Sequence, residues 1–174
     1  MGLSSEFFIA TPAEVDRVLT GWVTARDSSE DLAAGERGPR PDLTGLPRAS
    51  LRGISPAELV TLKPGVPGGE GVSDEAILRP VRVAPSGRSQ WVHRVPERLV
   101  TALAKLDDAA QRAVGKRWAA AELERLETLE DEAVRVARIK HHRERFWMDT
   151  VAELTSLAAT AESAGAGLYL YMTL

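Results

Sequence analysis

The sequence predicts an α+β protein: a small sheet that includes the N- and C-terminal strands, covered by helices from the second half of the chain. Three observations lead there. Both ends are short, apolar and aromatic, with Glu6-Phe7-Phe8-Ile9-Ala10 at the start and Leu168-Tyr169-Leu170-Tyr171-Met172-Thr173-Leu174 at the finish. Nine of the ten prolines fall within residues 1–95, whereas residues 96–164 hold only Pro96 and are rich in Ala, Leu, Glu and Arg. Within that second part apolar residues recur every three or four positions, the period of one helix face. A closing strand this apolar needs cover. Pairing it with residues 5–10 draws both ends into a single domain spanning 1–174.

The elements follow in order. Residues 6–10 suit a buried strand, because bulky side chains pack well on a pleated surface. Thr11-Pro12-Ala13-Glu14 spells a capping box with proline at the first helical position, where a missing N–H costs nothing. A helix at 12–25 follows, carrying Val15, Val18, Leu19 and Trp22. Ser55-Pro56-Ala57-Glu58 repeats the device and starts a shorter helix through Leu59, Val60 and Leu62, stopped by Pro64 and Gly65. Capping chemistry accounts for the likeness of IATPAEVDRVL to GISPAELVTL without a duplication. Residues 27–50 and 63–74 (the latter KPGVPGGEGVSD) read as loop-rich.

Val81-Arg82-Val83 and Trp91-Val92-His93-Arg94-Val95 alternate on either side of the turn residues Pro85-Ser86-Gly87-Arg88. A β-hairpin is therefore expected at 79–95, with the valines on one face and Arg82, His93 or Arg94 nearer solvent. Pro96 opens a helix with Leu99, Val100, Leu103 and Leu106, and Asp107 or Asp108 caps the next, with Val114, Trp118, Leu123 and Leu126. A last helix is expected to run unbroken from 130 to 164. Glu130, Asp131 and Glu132 sit where its dipole favours negative charge, and Gly165 and Gly167 end it. Trp147, Val151, Leu154, Ala158 and Ala161 form its apolar stripe.

The pieces WVHRVPERLVTALAKLD, GKRWAAAELERL and SAGAGLYLYMTL resemble a group of uncharacterised bacterial proteins. Members of that group carry a Trp-Val…Pro start, an Ala-Leu-Ala-x-Leu-Asp run, an Arg-Trp-Ala segment and a Leu-Tyr-Leu-Trp-Met-type end. The likeness covers roughly the second half of the chain, with SPAELVTL at its margin. Tyr171 stands where the group has Trp, and Ala121 where it has Thr. The resemblance implies a shared fold and no chemistry. More faintly, the strand–helix opening and the apolar closing strand are similar to the YfbM-like proteins. Their Trp-Asp…Leu-His motif is missing from this chain, and no residue role is carried over.

The composition bounds the function. The chain has 174 residues, 44% apolar and 27% charged, an ordinary globular balance with enough length for one core. No run approaches the roughly 20 apolar residues of a membrane span, and MGLSSEFF lacks the basic and long apolar regions of a signal peptide. Glu6 stands where a myristoylation signal has Ser or Thr. A cytoplasmic protein without a membrane partner is expected. There is no cysteine, which removes disulfides, thiolate nucleophiles and Cys-ligated metals. A net charge of −3 gives no global attraction for nucleic acid.

No motif assigns a catalytic, cofactor-binding or metal-binding residue. There is no G-x-S-x-G elbow. The glycine-rich stretch 63–74 lacks the G-K-[ST] of a phosphate loop, and Asp74 would repel phosphate. His141 and His142 are adjacent, so on a helix they point about 100° apart and do not share a metal. The acidic run from Glu122 to Glu132 reads as capping and solvated surface. Arg135, Arg138, Lys140, Arg143 and Arg145 form a basic run with both histidines, and Phe146-Trp147-Met148 follows at once. The candidate partner-binding residues are Arg138, His141, His142, Arg145 and Phe146. The leading expectation is a non-enzymatic protein-interaction module, a homodimer being one form of it, with no cofactor. The alternative is a small hydrolase-like enzyme using His93 or His141 with a carboxylate. The second is nucleic-acid binding through the basic helix 135–145, which the net charge disfavours.

Overall fold

Strand β1 (Ser4–Ala10) and strand β5 (Gly167–Thr173) lie antiparallel over their whole length, Ser4 opposite Thr173 and Ala10 opposite Gly167. The arrangement is that of a computed structural model, which describes residues 4–27, 41–51, 53–83, 90–141 and 143–173. Three more strands complete the sheet: β2 (Arg48–Ser50), β3 (Pro80–Val83) and β4 (Gln90–Arg94). The order is β2-β1-β5-β4-β3, every neighbour antiparallel, so the two chain ends form its centre. The expected α+β architecture is what the chain adopts.

Strand periodicity divides the side chains between two faces. Phe7, Ile9, Leu168, Leu170 and Met172 point to one, and Phe8, Ala10, Val92, Tyr169 and Tyr171 to the other. Helix α7 (Glu144–Ser163) lies over the first face beside α4 (Glu97–Ala104). Helix α5 (Asp108–Glu127) packs on α7, and α2 (Pro56–Leu62) and α3 (Asp74–Leu78) fill the flank. The stripe read from sequence, Trp147, Val151, Leu154, Ala158 and Ala161, is buried throughout. Helix α1 (Pro12–Asp27) covers the second face with Val15, Val18 and Leu19, joined by Leu43 and Leu46.

Both capping boxes form. Thr11 N–H donates to Glu14 Oε2 at 2.7 Å, and Ser55 N–H donates to Glu58 Oε2 at 2.8 Å. The glycine-rich stretch winds through three successive turns, Val66 N–H to Lys63 O, Gly69 N–H to Val66 O and Val72 N–H to Gly69 O. Lys63 Nζ closes it, donating to Val72 O at 2.7 Å and pairing with Asp74.

Four expectations are corrected. The last helix is two helices, α6 (Glu132–His141) and α7, separated at Arg143, whose backbone is extended at φ −135 and ψ 119. No glycine or proline marks the break. Packing sets it, because α7 follows the sheet while α6 turns back beside the end of α5, Arg135 Nη1 donating at 3.1 Å to Leu129 O in the turn between them. Residues 48–50, placed in a loop, pair with β1 as β2. Three residues are too few for alternation to show. Residues 74–78, past the loop read at 63–74 and assigned to no element there, form α3, capped by Ser73, whose Oγ accepts from Ala76 N–H at 3.1 Å. In the hairpin, β3 and β4 pair with a bulge between Pro80 and Arg82; its turn, 84–89, lies outside the described residues. Val92 and Val95 are buried, but Val81 and Val83 are exposed, because among the described residues no element lies over β3. His93 is buried rather than solvent-facing.

Candidate functional site

The residues nominated from sequence fall at the start of α7. Arg138, His141 and His142 lie outside the described side chains. Arg145 is exposed and its Nε stands 3.6 Å from Asp149 Oδ2. Phe146 and Trp147 diverge. Trp147 turns inward onto Trp118 with ring centroids 4.6 Å apart, while Phe146 stays 39% exposed with its ring edge-on to Trp147 at 5.1 Å. One aromatic of the pair anchors the core and the other faces outward.

Phe146 opens onto a groove of about 640 Å³ between α7 and β2, lined by Arg48, Ser50, Leu51, Phe146, Asp149 and Glu153 among others. Helical spacing builds one wall, since 146, 149, 150 and 153 share a face beside the buried stripe. The other wall is a sheet edge. Ile9 N–H donates to Pro47 O at 2.9 Å, which by antiparallel alternation turns the Ala49 backbone toward β1. The backbone groups of Arg48 and Ser50 therefore point away from β1, to the side where no described strand pairs with β2. Arg48 itself leans the other way, with Nη1 at 3.4 Å from Glu6 Oε1. The helix wall carries two carboxylates, Asp149 and Glu153, one turn apart.

Two other polar clusters lie deeper in the protein. His93 Nδ1 lies 3.3 Å from Ile77 O. Burial lowers its pKa and the hydrogen bond to Ile77 only partly opposes that, so the ring is neutral and donates Nδ1–H. It is a core histidine. The second cluster ties α2 to α5. Arg125 Nη2 donates at 2.7 Å to both Glu58 Oε1 and Glu122 Oε2, and Arg125 Nε to Glu122 Oε2 at 2.9 Å. Thr61 Oγ1 donates to Glu122 Oε1 and accepts from Trp118 Nε1–H at 3.1 Å. Burial disfavours charge on Arg125, but the hydrogen bond and charge of Glu122, with the charge of Glu58, more than offset it and raise its pKa. Glu122 is 1% exposed and its oxygens are occupied, so the cluster holds two helices together. Sequence reading put Glu122 on a solvated surface. The signal was present, since Trp118, Glu122 and Leu126 are spaced by four on the inward face of α5.

A further hollow of about 420 Å³ lies at one end of the sheet, lined among others by Arg94, Glu97, Thr101, Glu162 and Tyr169. A second of about 500 Å³ adjoins it, sharing Arg94 and Glu97 and reaching Arg79 and Val81.

No protein-family model matches the chain, and no curated protein does. One solved structure to which it is similar is that of YfbM from Escherichia coli, a protein of unknown function. The two are 14% identical over 98% of this chain and 99% of that one, with a TM-score of 0.42. The likeness is as faint as the one read from the terminal segments, and it assigns no activity. Among the described residues, no helix is long and apolar enough to cross a membrane.

Proposed function

We propose that the chain is a protein-interaction module that takes an extended, basic segment of a partner protein into the groove between β2 and α7. Phe146 carries the reading. It is a large aromatic left 39% exposed at the mouth of that groove, beside a tryptophan the core does claim. An edge strand facing a helix is a setting in which peptides add as an extra strand, main-chain hydrogen bonds supplying affinity and side-chain pockets specificity. Arg48 and Ser50 offer the main-chain groups, Phe146 the apolar anchor, and Asp149 and Glu153 the charge that selects Lys or Arg.

The opposite edge is a poorer place for pairing. Pro80 lacks a donor, the bulge beside it twists the strand, and Arg82 is charged, three devices that blunt an edge against its neighbours. A second copy therefore has less to gain at β3 than a basic peptide has at β2.

Selection of displayed random peptides against the folded protein tests this. The enriched peptides are expected to combine Lys or Arg with an apolar residue, and to lose binding to Phe146→Ala and to Glu153→Lys. Peptides indifferent to both substitutions, or none enriched, would refute the reading. So would self-association that Phe146→Ala abolishes, because the groove would then belong to a second copy.

A further inference from the structure

Independently of that groove, we infer that the hollow at the end of the sheet is a binding site for a free basic amino acid. Its lining combines one cation with two carboxylates. Arg94 ends β4 and is the register partner of Tyr169 on β5. Glu97 opens α4 and Glu162 belongs to the last turn of α7. Among the described residues Arg94 forms no ion pair, although Glu97 and Glu162 line the same hollow of about 420 Å³. Small-molecule sites fall in the range of roughly 300–1,000 Å³. Charges that line one hollow without pairing to one another are available to a ligand.

The fold makes room for a hydroxyl there as well. A Cβ on Gly167 would meet the Tyr169 ring at 2.8 Å and its hydroxyl at 3.0 Å. The missing side chain lets the ring lie back along β5 toward the sheet end, where it joins Thr101 in the lining. Burial raises the Tyr169 pKa, with Arg94 opposing and Asp16 adding to the shift, so the phenol stays a neutral donor. No side chain caps the first turn of α4, and with Leu99 N–H donating to Pro96 O, the amides of Glu97 and Arg98 are left for an anionic group.

The charge pattern selects the ligand. A bare anion would meet Glu97 and Glu162, and a bare cation would meet Arg94. An α-amino acid presents both signs, its carboxylate toward Arg94 and Tyr169 and its ammonium toward a glutamate. The second glutamate remains, and a ligand with a cationic side chain neutralises it. A basic amino acid such as lysine thus balances the lining, one carboxylate and two ammonium groups against one guanidinium and two carboxylates.

Calorimetric titration of the full chain with L-lysine, norleucine, cadaverine and Nα-acetyl-lysine tests the assignment. Lysine is expected to bind saturably. Each analogue lacks one charged group and should bind at least about tenfold more weakly, the usual effect of losing a charge-assisted hydrogen bond. Arg94→Gln and Glu162→Gln should each weaken lysine by a similar factor, with melting curves confirming that the exposed substitutions leave the fold intact. Absence of saturable lysine binding, norleucine or cadaverine binding as tightly as lysine, or lysine affinity unchanged in both variants would overturn it. Peptide binding at the β2–α7 groove is read separately, so failure at one site leaves the other standing.

Discussion

Gly115 and Met148 meet backbone to backbone: a Cβ on Gly115 would stand 2.7 Å from Met148 Cα and 3.0 Å from Met148 N. This is where α5 receives the start of α7, next to the Trp118–Trp147 contact. Two effects oppose each other in Gly115→Ala. Alanine favours a helix interior over glycine by about 1 kcal/mol. Overpacking a site that cannot yield costs about 1–3 kcal/mol, and here the obstacle is main chain rather than a mobile side chain. Gly115→Ala should lower stability by up to about 2 kcal/mol net. Urea denaturation checks it, and a gain in stability would show that α7 can move away at little cost.

The Arg125 guanidinium is shared by two carboxylates that the core has taken out of water, Glu58 and Glu122. Breaking a buried pair costs about 3–5 kcal/mol, and the partial exposure of Arg125 reduces that. Arg125→Met should destabilise the fold by about 2–3 kcal/mol, the methionine filling the volume without supplying charge. Arg125→Lys should recover only part, because one ammonium cannot fork between two acceptors as a guanidinium does. Chemical denaturation of both variants at neutral pH makes the comparison. Equal stability of wild type and Arg125→Met would mean the cluster contributes nothing.

His93 makes stability depend on pH in one direction. Its native pKa lies below the ordinary 6.5, chiefly through burial. Between the two values the unfolded chain binds more protons than the folded one, so stability rises with pH across that window. Above the unfolded value the contribution is complete, and it is lost as pH falls toward the native one. The urea midpoint should be flat from about pH 8 to 7 and fall below about 6.5, and His93→Gln should reduce that slope. A midpoint that rises on acidification through the window would contradict the neutral, buried ring.

Much of this fold was legible in the residues. The pairing of 5–10 with the closing strand followed from two apolar ends that each needed cover. Both capping boxes followed from their spelling, and the α7 stripe from its spacing. The misreadings share a cause. The break at Arg143, the short β2 and the burial of His93 and Glu122 are decided by which surfaces meet, and a single chain read locally carries no record of that. The proposed groove was only partly legible. Phe146 stood out as an aromatic beside arginines, but its groove is made with Arg48 to Leu51, nearly a hundred residues away. The sequence made the basic run conspicuous, whereas the charge on the helix wall of the groove, from Asp149 and Glu153, is acidic.

Amide hydrogen exchange at β2, with and without a peptide selected on the protein, tests the central claim most directly. The backbone N–H groups of Arg48 and Ser50 face the open edge, while that of Ala49 faces β1. Bound peptide should slow exchange at Arg48 and Ser50 by at least about tenfold and leave Ala49 nearly unchanged, the signature of an added strand. A peptide that binds tightly while exchange at Arg48 and Ser50 stays as fast as in the free protein would contradict the account.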